Sequence, residues 1–269
     1  MKFTKVRLNG LTVVDLPIEG ALPSDKYILK GIDGAGPPDL DVALGDTLFG
    51  DAVFQGRQAQ GRELVGLIGL NPDFGSSETA ADLRANLYGM ITPGYGESIV
   101  VQFMNVDTVV AETTGYVRRL EINPFSKDPE VQLTVACIER QLVAPDVIFL
   151  EPPSTSDPEI LNDGTAPAGF HMELTLTSAV SLWSLTDIFA TYEMTFVYDF
   201  EAGDLLEIDT RPGHRGVWVT RSSVRKNIIW TMTPESVWFM LHGGNNVFQT
   251  SSDLFTWGDV YYQPRFWGI

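Results

Sequence analysis

The chain has 269 residues, with 35 Asp and Glu against 18 Lys and Arg, a formal charge of −17 and a single cysteine. That length accommodates one large or two medium domains with an ample core. The acidic balance argues against a phosphate-binding surface, and Cys137 alone excludes an internal disulfide.

The opening MKFTKVRLNGLTVVDLPIEGALP carries two early lysines but no long apolar core, because Leu11 to Val14 is cut short by Asp15. It is not read as a signal peptide. No stretch approaches the roughly 18 apolar residues needed to span a bilayer. The expectation is a soluble chain made in the cytoplasm, without a membrane partner. Gly31-Ile32-Asp33-Gly34-Ala35-Gly36 runs into Pro37-Pro38 and not into a helix, so these are turn glycines and not a nucleotide cradle.

The strong helix candidate is Glu78 to Ile91, with Ser76 and Ser77 as capping residues. Ala80, Leu83, Leu87, Tyr88 and Ile91 fall on one stripe, which is expected to pack on a sheet. Gly94 and Gly96 break the chain before the apolar run Ile99 to Phe103. Val131, Leu133 and Val135 alternate with polar residues, the period of a half-buried strand. Cys137 continues that face and reads as a small buried apolar residue.

After Val143 the stretch APDVIFLEPPSTSDPEILNDGTAPAG is rich in proline and acidic residues, which suits a linker. The expected domains are therefore 1–145 and 146–269. Met172-Glu173-Leu174-Thr175-Leu176 and the alternation Met194, Phe196, Tyr198, Phe200 read as strands. Turns are expected at Glu201–Asp204, Arg211–His214 and His242–Asn245. Their spacing points to a β-sandwich. The fold class is mainly β with one helix. The closing VYYQPRFWGI is too aromatic for a free tail and reads as the last strand of that sandwich, anchored by Trp267.

Motifs for chemistry are missing. There is no phosphate-binding loop and no nucleophile elbow, and His171, His214 and His242 are far apart in sequence with no paired-ligand spacing. Asp157 to Asp163 lacks the alternating oxygens of a calcium loop. No catalytic, cofactor-binding or metal-ligating residue is assigned, and no cofactor is expected. The basic segment Arg211 to Lys226 reads as solvated strand. Trp183, Trp218, Trp230, Trp238, Trp257 and Trp267 all lie in the second half, as sandwich core and edge or, alternatively, as a platform for sugars. Trp218-Val219-Thr220-Arg221 and His242-Gly243-Gly244-Asn245 only echo the sugar-binding pattern of galectins.

In order along the chain, a set of motifs resembles the distal tail proteins of long-tailed bacteriophages. They are Tyr27 to Gly34 followed by Gly36-Pro37-Pro38, Gly56-Arg57 through Gly61 to Leu64, Arg84 to Tyr88, and Glu121 to Lys127. The second half adds Gly203 to Thr210, Leu241 with Gly244-Asn245-Asn246, and Tyr262 to Ile269. The resemblance implies an N-terminal ring-forming domain and a C-terminal galectin-like β-sandwich. It further implies a non-enzymatic homo-hexamer joining the tail tube protein to a tail-tip hub or fibre protein and to receptor-binding proteins. DNA would pass through the ring's channel without specific binding. Glycine-rich loops such as Gly45 to Gly61 are expected to reach a neighbouring subunit. The alternative is a carbohydrate-binding protein using the second sandwich, and a third possibility is a hydrolase built from scattered carboxylates.

Overall fold

The computed structural model describes residues 3–10, 12–18, 21–38, 40–46, 52–59, 61–73, 75–91, 97–122, 129–150, 159–189, 191–251 and 254–269. The chain forms two compact units, Met1–Pro145 together with Phe266–Ile269, and Asp146–Arg265. Both are mainly β, as expected, with a single α-helix among the described residues.

The first unit runs β1 (Lys5–Asn9), β2 (Val13–Pro17), β3 (Tyr27–Asp33), β4 (Leu40–Asp46), β5 (Ala52–Ala59), β6 (Glu63–Leu70), α1 (Ala80–Met90), β7 (Ile99–Asn105), β8 (Thr108–Ile122), β9 (Glu130–Cys137) and β10 (Leu142–Val143). Its main sheet has the order β2-β1-β7-β8-β9-β6-β3. Pairing is antiparallel throughout this path, although the neighbours β1 and β7, and β6 and β9, lie far apart in sequence. Alternate residues, Val6 and Leu8 on β1, Val14 and Leu16 on β2, and Val131, Leu133 and Val135 on β9, point into one core. Cys137 packs against that core half-buried, and burial pushes its thiol above the usual range.

The segment expected as a glycine-rich loop at Gly45 to Gly61 is largely strand, since β4 and β5 pair with each other as a separate two-stranded ribbon. The Val42–Arg57 and Leu44–Phe54 pairs set its register, with a shift that absorbs Gln55. Residues 47–51 and 60 of that segment lie outside the described residues, as do Gly94, Gly96 and 123–127.

Helix α1 lies within the expected bounds but starts from a different cap. The Thr79 hydroxyl accepts from the Asp82 amide, and the Asp82 carboxylate accepts from the Thr79 amide, a reciprocal capping box. Ser76 instead accepts from the Glu78 amide one turn earlier. Leu83, Leu87 and Ile91 form the buried stripe. The Tyr27 hydroxyl donates to the Leu83 carbonyl and ties the helix to β3.

The second unit runs β11 (Ile148–Leu150), β12 (Glu159–Asn162), β13 (Phe170–Leu176), β14 (Val180–Asp187), β15 (Tyr192–Phe200), β16 (Leu205–Asp209), β17 (Gly216–Arg221), β18 (Val224–Asn227), β19 (Gly244–Thr250) and β20 (Phe255–Tyr262). Two antiparallel sheets, β11-β20-β13-β16-β17-β18 and β12-β19-β14-β15, enclose one core of Phe170, Trp183, Phe196, Phe248 and their neighbours. This is the sandwich that the alternating patterns foretold. The stretch read as a linker is only partly one. Ile148–Leu150 pairs with Val260–Tyr262, and Glu159–Asn162 pairs with Gly244–Val247, while 151–158 lie outside the described residues. Ala166 and Ala168 are fully buried bridges to Arg265 and Leu241.

The closing segment departs from its expected place. Val260 to Tyr262 does belong to the sandwich, but β21 (Arg265–Phe266) pairs with β10, and the chain from Phe266 onward packs in the first unit. Phe266, 5 % exposed, enters that unit's core. The Ile269 amide donates to the Ala35 carbonyl. Aromatic content correctly marked the segment as ordered but carried no information about which core would receive it.

Candidate functional site

The outer face of the six-stranded sheet gathers the densest polar and aromatic constellation among the described residues. Strand alternation explains it. On β13, Phe170, Met172, Leu174 and Leu176 point into the core, which leaves His171, Glu173 and Thr175 outside. On β16 the same rule buries Leu206 and Ile208 and turns Glu207 and Asp209 outward. Register places His171 opposite Asp209 and Glu173 opposite Glu207. On the other flank, His171 faces Tyr261.

His171 is nine-tenths buried although it lies on the outer face, because its neighbours cover it. Its ring stacks on Tyr261 at 4.6 Å between centroids, and the Arg211 guanidinium lies 5.0 Å from the centre of the same Tyr261 ring. Nε2 is 3.4 Å from Glu173 Oε1, and Nδ1 is 3.7 Å from Asp209 Oδ2. Gly258 on β20 has no side chain where one would press on Glu173, since a Cβ there would come within 3.0 Å of the Glu173 Cβ. Arg211 clamps Asp209 through Nε and Nη2. Burial opposes ionisation of Asp209, but the facing His171 ring and the Arg211 guanidinium outweigh it and hold the carboxyl well below the usual carboxylate range.

The second row continues across the sheet. Arg225 donates to Glu207 at 2.6 Å and covers the Trp218 ring at 4.4 Å, a cation over an aromatic face. Arg221 donates to both Asp204 oxygens and to Glu201. The basic segment is therefore solvated strand as expected, but Arg211, Arg221 and Arg225 are each paired with a carboxylate. The galectin-like echoes are absorbed by structure. Trp218 lies under Arg225, and the Asn246 side chain, beside Asn245, braces the turn through the His242 and Gly244 carbonyls.

The three histidines do not share one site. His171 sits among Glu173, Glu207 and Asp209, His242 meets Asp187 at 3.5 Å, and His214 lies in the turn between β16 and β17. His171, Glu173 and Glu207 place ligand-type atoms within 4.8 Å of one another. A search for paired histidines misses this group. Its sequence signal is two alternating pairs, His171-x-Glu173 and Glu207-x-Asp209, on neighbouring strands.

A second feature is an open groove of ≈ 590 Å³ lined by Leu182, Val197, Tyr198, Asp199, Arg221 and Trp230. Trp230 is 68 % exposed, and the Lys226 ammonium lies 5.8 Å from its ring and 5.7 Å from that of Tyr198. In the first unit, a buried Arg62 gathers the carbonyls of Gly34, Gly36, Arg140 and Trp267. That arrangement is structural. No described helix is long and apolar enough to cross a membrane.

Comparison with known proteins follows the fold. Residues 163–266 match the family model described as the siphovirus-type tail component, C-terminal domain. The crystal structure of the SPP1 Dit (gp 19.1) protein, described as a paradigm of the hub adsorption apparatus in phages infecting Gram-positive bacteria, matches at 13 % identity and a TM-score of 0.61. The match covers 97 % of this chain and 99 % of that one. The phage P2 baseplate in its activated conformation with Ca matches at 8 % identity and a TM-score of 0.40, covering 97 % of each chain. No curated protein sequence matches the chain. The resemblance to siphophage distal tail proteins read in the sequence is met by the family model over residues 163–266, while the remainder of the chain shares the fold of the SPP1 Dit protein.

Proposed function

We infer that this chain, which carries the siphovirus-type tail component domain over residues 163–266, is a structural hub component of a long-tailed phage tail tip. Six copies close a ring that joins the tail tube protein to the tail-tip hub or fibre and to receptor-binding proteins. The role is non-catalytic, and the protein's place is the virion tail. The observation that carries this reading is the family domain in the second unit, seated in a fold that follows the SPP1 Dit chain almost end to end.

Charge is consistent with a conduit. Six chains at −17 each carry −102 formal charges, and an acidic channel wall repels passing DNA so that it slides without sticking. The test is negative-stain microscopy with a parallel mass measurement, on the protein alone and mixed with its tail tube partner. Six-fold rings are expected. A strict monomer in both conditions overturns the ring, and a channel lined mainly by Lys and Arg overturns the electrostatic part.

A second reading, glycan binding by the sandwich, is favoured by the groove beside the exposed Trp230. An indole face with hydroxyl partners nearby is the usual means of holding a sugar ring. Glycan-array binding lost in Trp230→Ala supports it, and an array without signal removes it.

A further inference from the structure

We propose that His171, Glu173 and Glu207 form a divalent transition-metal site of the zinc class on the outer face of the six-stranded sheet, with Asp209 positioning the histidine from behind. The two nitrogens of the His171 ring face two carboxylates, Nε2 toward Glu173 at 3.4 Å and Nδ1 toward Asp209 at 3.7 Å. A neutral imidazole has one N–H, so one nitrogen must present a lone pair to an anion. A cation between Nε2 and the glutamates removes that conflict.

The arrangement matches the way metal-binding histidines are held. One ring nitrogen faces a carboxylate that fixes tautomer and orientation, while the other is directed at the ion. His171 is 8 % exposed and its Nδ1 faces Asp209 at 3.7 Å, just beyond hydrogen-bond distance, so Asp209 orients the ring by charge while packing holds it in place. Tyr261 stacks on one face and prevents rotation.

Size and chemistry also fit. Zinc bonds of about 2.0–2.2 Å to nitrogen and oxygen put neighbouring donors of a tetrahedral site about 3.3 Å apart. The Nε2 to Glu173 Oε1 spacing is 3.4 Å, and all three donor atoms lie within 4.8 Å of one another. Glu207 closes the remaining gap by a side-chain rotation. Arg225 holds Glu207 through Oε2 and competes with the ion for it. One imidazole and two carboxylates suit zinc better than calcium, which prefers six or more oxygens. Three protein ligands leave a fourth position for water or an incoming group.

The experiment is calorimetric titration of the chelator-treated, full-length protein with zinc chloride, alongside thermal melting. Saturation at one zinc per chain and a higher melting temperature are expected, with calcium chloride giving neither. His171→Gln and Glu173→Gln should each weaken zinc at least about 10-fold. Glu173 lies at the rim, so its variant keeps the test valid if the buried histidine variant fails to fold. Arg225→Ala should tighten binding, because Glu207 loses its competitor. The double variant His214→Gln, His242→Gln should bind like the parent. No saturable zinc uptake, uptake unchanged by Glu173→Gln, or loss of uptake in the His214 and His242 variant overturns the site.

Discussion

Arg62 Nη2 donates to the carbonyl oxygen of Trp267 at 2.5 Å, joining positions 205 residues apart in sequence. The same guanidinium donates through Nη1 to Gly34 and Gly36 and through Nε to Arg140. It is 4 % exposed, and burial lowers its pKa from the usual guanidinium value. Its planar fork is suited to collecting several carbonyls at once, which a lysine ammonium does less well. Arg62→Ala leaves four acceptors without this donor and should cost on the order of 3 kcal/mol. Arg62→Lys should fall between. Chemical denaturation followed by tyrosine and tryptophan fluorescence measures both, and parent-like stability in Arg62→Ala would refute the assignment.

Deletion of Phe266 to Ile269 should destabilise the first unit. It removes the Phe266 ring from that core and the Ile269 to Ala35 hydrogen bond. Losing a buried phenylalanine ring costs about 3–5 kcal/mol. Calorimetry should show an early transition, with hydrogen exchange rising first in β1, β6 and β9. Exchange rising first in the sandwich strands would contradict the packing described above.

Gly34 cannot become alanine without strain. Its φ is +81°, and a Cβ would sit 1.9 Å from the Glu63 carbonyl oxygen. Gly34→Ala must displace the start of β6, at Glu63 next to Arg62, at a cost of about 2 kcal/mol or more. Its melting temperature decides the matter, and a parent-like value would show that the turn relaxes freely.

Thr79→Ala should cost about 1 kcal/mol, the usual worth of a helix N-cap. Ser76→Ala should cost less, because Ser76 only braces the preceding turn. Equal losses in the two variants would mean that the capping box is not the principal stop signal of α1.

Acid should weaken the sandwich through two carboxylates. The Arg221 guanidinium depresses the Asp204 pKa first of all, and Asp209 is held low by His171 and Arg211 against its burial. A depressed folded-state pKa stabilises the fold above the unfolded value and loses that contribution as pH falls toward the folded value. Melting temperature should therefore decline below about pH 4, the unfolded aspartate range. Asp204→Asn should lower stability at pH 7 and flatten the decline. A steeper acid dependence in that variant would point to other carboxylates.

Much of this was legible from alternation alone. The strands at 131–135, 172–176 and 194–200 were visible because one face of each is buried, and the turns at Gly203, Gly213 and Gly244 because each adopts a positive φ. The helix stripe was equally clear, but its cap was placed two to three residues too early, since Ser76, Ser77 and Thr79 are all competent acceptors. Proline content concealed β11 and β12, whose partners lie about a hundred residues downstream. The His171 constellation was hidden for the same reason. Its members converge only through strand register, which depends on pairing and not on spacing.

The sandwich is inserted between residues 145 and 266 of the first unit, so the chain leaves one core, builds another and then returns. Protein synthesis is directional, and domains generally begin to fold as they emerge. The piece that completes the first core is translated after the entire second unit. The first core therefore cannot be completed, and Arg62 cannot reach the Trp267 carbonyl, until the whole of the second unit has been made.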